Sequence, residues 1–246
     1  MKKFKFLKTS TFITFIFELL PLVFALIFYK KIKANYLKVF FIYTVFLAVF
    51  VILGLHSLLI LKSKSLYLSF VKCYLGVEYA CIAFYFANLF KNKIIKYISL
   101  FSIIPFWAFA LYDYFKANSV GFNNIPAIIS FILCLIFLIY YFFEKMNFVS
   151  THPLYKTISF WLCVGLFIYF SGNFFYLLFI KSTKDIEQIA SMKIVYTIVS
   201  ITKDIVLALA WFAHEPSETN ETIIKIPDGL NLDGDIPLTT RLNPNA

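Results

Sequence analysis

Seven mostly apolar runs, each close to the roughly 20 residues a helix needs to cross a bilayer, leave this chain one class of structure. They cover residues 12–29, 39–61, 66–90, 94–114, 125–143, 158–180 and 194–212. A single segment inside hydrocarbon must satisfy its own N–H and C=O groups, which selects the helix. The links between runs are too short to fold by themselves, so successive helices are forced to be antiparallel neighbours. The expectation is an all-α, polytopic transmembrane bundle of seven helices with its two ends on opposite faces.

Composition supports that class. Of 246 residues, 61% are hydrophobic and only 15% are charged, against roughly 25% charge in a soluble domain. All but Arg241 of the 23 basic residues are lysine, and many of the lysines cluster in the links. Lysines flanking apolar runs suit anionic lipid headgroups rather than nucleic acid. The expected partner is the lipid bilayer, with room for a membrane or cytoplasmic protein. The lysines divide evenly between the two faces, so orientation stays open, with a lean to N-terminus out and C-terminus in. The expected location is the inner (cytoplasmic) membrane, with several passes.

Residues 1–11 form a basic segment. They look like a leader, but no small-residue cleavage site follows, and Glu18 and Pro21 interrupt the next run; the reading is an uncleaved first span. Residues 12–213 form the transmembrane domain. Residues 214–246 are polar and acidic, carry Pro216, Pro227, Pro237 and Pro244, and read as a flexible tail. Within it, residues 222–226 and 236–238 could add a strand to a partner, while the DGLNLDGD run is out of register with a calcium loop. Cys73, Cys81, Cys134 and Cys163 lie in apolar runs without CxxC spacing and read as small buried hydrophobes, not as a metal or redox site.

Function must be sought in polar residues that the lipid would otherwise reject. Lys203 and Asp204 fall near the middle of the last run. An ionisable group there costs on the order of 3 kcal/mol unless it meets a partner or a wet cavity. Helical spacing extends the pattern. Thr11, Thr14 and Glu18 share a face, as do Tyr74, Glu78, Cys81 and Tyr85, then Tyr169, Asn173 and Tyr176, then Tyr196, Ser200 and Lys203. Such stripes point into a bundle, and these fall toward the N-terminal half of the membrane. The candidate polar core or ligand site is Glu18, Glu78, Tyr79, Asn173, Tyr196, Ser200, Lys203 and Asp204. The plainer alternative is an ion pair of Lys203 with Glu78 or Asp204 that sets helix register alone. His56, on an otherwise apolar face, reads as a satisfied or interfacial histidine rather than a ligand.

No HExxH, GxSxG, P-loop or paired intramembrane aspartates occur, so no catalytic activity is expected. A lysine in the seventh helix facing a carboxylate in the third invites comparison with retinal proteins. However, Val199 stands where the microbial ones carry aspartate, and the sixth run lacks their Trp-x-x-Tyr-Pro pattern. No cofactor is expected.

A broader set of motifs runs through the chain: Glu18-Leu19-Leu20-Pro21, Glu78-Tyr79, Asn124-Ile125-Pro126, Phe143-Glu144-Lys145, Phe160-Trp161, the stretch from Tyr169 to Phe175, and Lys203-Asp204-Ile205. In order and spacing the chain resembles a family of uncharacterised seven-helix integral inner-membrane proteins of Bacteroidota. It departs from them at Asp204, where asparagine is expected, and at Ala127 and Ile128, where an acidic residue is expected. The resemblance implies seven helices and a polar core shared by Glu18, Glu78 and Lys203; it implies no activity. The leading expectation is a sensory or receptor-like protein that binds a small ligand and signals to a partner. A small-solute or proton-coupled transporter and a non-catalytic subunit of a larger complex are the alternatives.

Overall fold

The computed structural model describes residues 13–59, 63–116, 124–147, 153–182 and 186–213. The basic segment 1–11 and the tail 214–246 lie outside the described residues. The chain is all-helical across them, with seven helices, six of them long and apolar enough to span a membrane. In order, the helices are Ile13–Ile27, Asn35–Leu59, Lys64–Leu89, a broken fourth made of Lys93–Phe101 and Ile103–Lys116, then Ile125–Asn147, Ile158–Ser182 and Ile186–Leu209. Each packs on its neighbours in the chain, and the first closes on the seventh, completing a ring; the third also packs on the fifth.

Several helices outrun their apolar stretches. The seventh begins at Ile186 instead of 194 and carries Glu187 and Lys193 on its first turns. Hydropathy marks only the part of a helix that hydrocarbon demands, while backbone hydrogen bonding continues into the headgroups. Lys193, read from sequence as part of a link, is therefore a helical residue.

Two helices are interrupted, each near a proline. Pro21 has no N–H for the Phe17 carbonyl and crowds it. The first helix loosens at Leu19, whose N–H reaches Ile16 O at 3.3 Å, so Glu18 stands beside the break. Pro105 likewise frees the Phe101 carbonyl, and the fourth helix turns at Ser102. Starts are capped locally: Ser63 accepts from Leu66 N at 3.3 Å, and Asn92 Oδ1 from Ile94 N at 2.9 Å.

The first helix enters at what is here named the N-terminal face; the seventh ends at the C-terminal face. The C-terminal half is plugged by buried rings. Phe40 meets Tyr85 at 5.4 Å between centroids, and Phe86 meets Phe137 at 6.0 Å, with Trp211 fully buried nearby. The same face is tied by hydrogen bonds. Lys31 Nζ donates to the carbonyls of Trp211 and Ala213 at 2.8 and 2.9 Å, closing the end of the seventh helix. Buried Glu144 accepts from the Lys91 and Asn92 N–H groups at the turn into the fourth helix, the shortest contact being 3.0 Å.

Isoleucines and phenylalanines crowd the outer surface, among them Ile52, Ile94, Phe101 and Ile139, as lipid allows. Tyr29, Tyr97, Tyr112 and Trp161 are exposed and fit interfacial belts. Trp211 and Tyr141 also lie near span ends but are core residues at 0% exposure. Cys134 and Cys163 are buried as expected, Cys81 partly so, but Cys73 is exposed.

The sixth and seventh helices cross closely because glycine stands at the contact. A Cβ on Gly172 would lie 2.6 and 2.7 Å from the two Val199 methyls; one on Gly165 would meet Leu207 Cδ2 at 2.8 Å. Valine has little χ1 freedom, whereas leucine can swing a terminal methyl aside. Gly172→Ala is predicted to destabilise the fold by about 1–3 kcal/mol, and Gly165→Ala by less. Thermal unfolding of the two variants in detergent measures the difference.

Candidate functional site

The N-terminal half of the bundle is hollow. A cavity of about 370 Å³ opens there, walled by the first, second, third, fifth, sixth and seventh helices. Its size lies within the range of small-molecule sites. Thr14 and Glu18 line it from the first helix, Tyr74 and Glu78 from the third, Tyr169, Asn173 and Tyr176 from the sixth, and Lys193, Tyr196 and Thr197 from the seventh. The polar stripes legible in the sequence do converge.

Glu78 is 3% exposed. Its Oε1 accepts the Tyr74 hydroxyl at 2.7 Å, one turn back, and the Tyr43 hydroxyl at 3.3 Å, from the second helix. The Tyr169 hydroxyl also interacts with this carboxyl group. Hydroxyl donors of this kind satisfy acceptor oxygens held away from water. Glu18 is only half-buried and makes no hydrogen bond or ion pair among the described residues. Asn173 is 1% exposed, lines the cavity, and has no hydrogen-bond partner for either amide atom among the described residues.

Lys203 and Asp204 lie deeper and do not line the cavity. Both are buried, and Lys203 Nζ stands 2.9 Å from Asp204 Oδ1. Neither Asp204 oxygen has a hydrogen bond of good geometry, so the contact is ionic rather than directed. Adjacent helical residues point about 100° apart. The flexible lysine stem bridges that angle, and its ammonium also sits 4.6 Å from the centre of the Tyr169 ring. A desolvated cation over a ring face is stabilised by about 2 kcal/mol. Tyr169 thus meets the Lys203 ammonium with its ring and Glu78 with its hydroxyl, lining the cavity between them.

The remaining candidates separate. Ser200 is buried below Tyr196 and outside the cavity lining. Tyr79 is buried too, but its hydroxyl donates to Ser102 Oγ at 2.7 Å and its ring packs on Phe106 at 4.3 Å. It belongs to the seam with the broken fourth helix, because one residue of helical rotation turns it away from Glu78. His56 is exposed. Sequence reasoning missed Tyr43 and Lys193. A tyrosine in mid-run, far from either membrane edge, was the available signal for Tyr43. Among the described residues, no group of three His, Cys, Asp or Glu side chains could hold a metal ion.

The chain matches no family model, and no curated protein or solved structure matches it.

Removing one partner of a buried ion pair strands the other, at a cost of about 3–5 kcal/mol, whereas replacing both is far milder. Lys203→Met alone is expected to lower thermal stability in detergent markedly. Lys203→Met with Asp204→Leu is expected to recover most of the loss, as read by a double-mutant cycle of unfolding midpoints.

Proposed function

We propose that this protein is a receptor-like membrane protein that binds a small ligand in its half-membrane cavity and passes a helix shift to a partner. One observation carries the reading: Asn173, in the cavity wall, has a buried amide with no hydrogen-bond partner among the described residues for its donor or its acceptor. An unsatisfied buried amide costs about 1–3 kcal/mol. Such a group is stable in the cavity wall when something else meets it. The aromatic plug of the C-terminal half and the Lys31 and Glu144 ties favour binding from one side over passage through the bundle. The broken first helix, carrying Glu18 beside its break and packed on the seventh, is the element a ligand would move. Within this reading fall an inner-membrane location, an N-terminus-out orientation and membership of the Bacteroidota family that the sequence resembles.

Proton-coupled transport is the second reading, favoured by the buried Lys203–Asp204 pair, whose ammonium lies over the ring of cavity-lining Tyr169 and so continues the ionisable groups past the cavity. Uptake of a bound compound into proteoliposomes would select this reading over sensing.

The reading predicts a trade of stability against binding at one residue. Asn173→Leu, close in size and without polar atoms, should raise the unfolding midpoint of the ligand-free protein while removing ligand-induced stabilisation. The check is a thermal-shift screen of wild type and variant in lipid nanodiscs, using a library of mixed charge. A library that shifts the two proteins alike would sink the receptor reading.

A further inference from the structure

We infer that the cavity's ligand is a small organic cation, a primary ammonium group carried on an aromatic or aliphatic body. This rests on the cavity being a ligand site, and it adds the chemistry of the occupant.

Charge is the first ground. Among the described residues, the ionisable groups lining the cavity, apart from tyrosines, are Glu18, Glu78 and Lys193. The Lys203 charge is already answered by Asp204 and is held over the Tyr169 ring. Neither cavity carboxylate has a cation bonded to it: Glu78 takes neutral hydroxyls, and Glu18 takes nothing among the described residues. Carboxylates enclosed by low-dielectric walls attract a positive charge more strongly than they would in water.

The walls are the second ground. Phe15, Phe50, Tyr67, Phe70 and Tyr74 present rings to the cavity. Aromatic faces stabilise cations and also bury an apolar body. The protein uses that interaction itself, at Lys203 over Tyr169.

Asn173 is the third and independent ground. Asn173 lines the cavity, and its buried Oδ1 accepts from no donor among the described residues. A primary ammonium has three N–H donors and no acceptor, so two carboxylates and one amide oxygen match its hydrogen-bonding capacity. A metal ion fits less well, since the described residues gather no three His, Cys, Asp or Glu ligands.

The full chain in phosphatidylcholine nanodiscs, which carry no net charge to concentrate cations, provides the test. The probes are 2-phenylethylamine, neutral 2-phenylethanol and anionic 3-phenylpropionate, with binding read by calorimetry and by unfolding midpoint. The amine should bind and raise the midpoint, and the other two should not. Glu18→Gln should weaken amine binding about tenfold or more, the scale of one lost charge-assisted hydrogen bond. Glu18 is partly exposed and makes no hydrogen bond or ion pair among the described residues, so this variant should keep close to the wild-type midpoint without ligand. Equal binding of the alcohol or the acid, or amine binding indifferent to Glu18→Gln, overturns the cation inference and leaves the ligand-site reading intact. Failure of all three probes overturns it as well, while the ligand-site reading is judged separately by the mixed library and Asn173→Leu.

Discussion

A charged side chain inside hydrocarbon has to be answered by another group, and that constraint organises the bundle. Lys203 is answered twice, by the Asp204 carboxylate at 2.9 Å and by the Tyr169 ring at 4.6 Å. The Tyr169 contact depends on the crossing of the sixth and seventh helices, which Gly165 and Gly172 allow to run close together. The buried ammonium and this close crossing are therefore linked through Tyr169. Changing the crossing would move Tyr169 from the ammonium and alter the cavity floor with it.

The two halves of the bundle solve the same problem in opposite ways. Toward the C-terminal face, rings and aliphatic side chains fill the interior, and Lys31 and Glu144 satisfy backbone groups at the helix ends. Toward the N-terminal face, the interior is lined by hydroxyls, carboxylates and an unpartnered amide around open space. A filled half resists rearrangement, because close-packed interiors transmit strain rather than absorb it. A hollow half with a broken helix on its wall can respond to an occupant. This asymmetry underlies the proposal of sensing over passage.

Much of this was legible in the sequence for a simple reason: helical periodicity is local. Glu18, Glu78, Asn173 and Tyr196 could each be assigned to an inward face from neighbours three and four residues away, and all four line the cavity. Helix ends were less legible, as Lys193 shows, because nothing in hydropathy marks where hydrogen bonding stops outside the lipid. Tyr43 was hidden for another reason. Alone in an apolar run it carries no stripe, and only the approach of the second helix to the third gives it Glu78 as a partner.

The sequence by itself determined that the chain crosses a membrane as a bundle of helices, since lipid leaves the backbone no other way to satisfy its polar groups. It also determined which face of most helices points inward, since a 3.6-residue period fixes that within each helix. Only the tertiary structure decided which buried charge meets which. From sequence, Lys203 could pair with Glu78 or Asp204; the helix crossing sets Tyr169 beside the ammonium, leaving Asp204 to the lysine and Glu78 to the tyrosines. That outcome depends on distances of a few ångströms between helices far apart in the chain, and no local pattern carries that information.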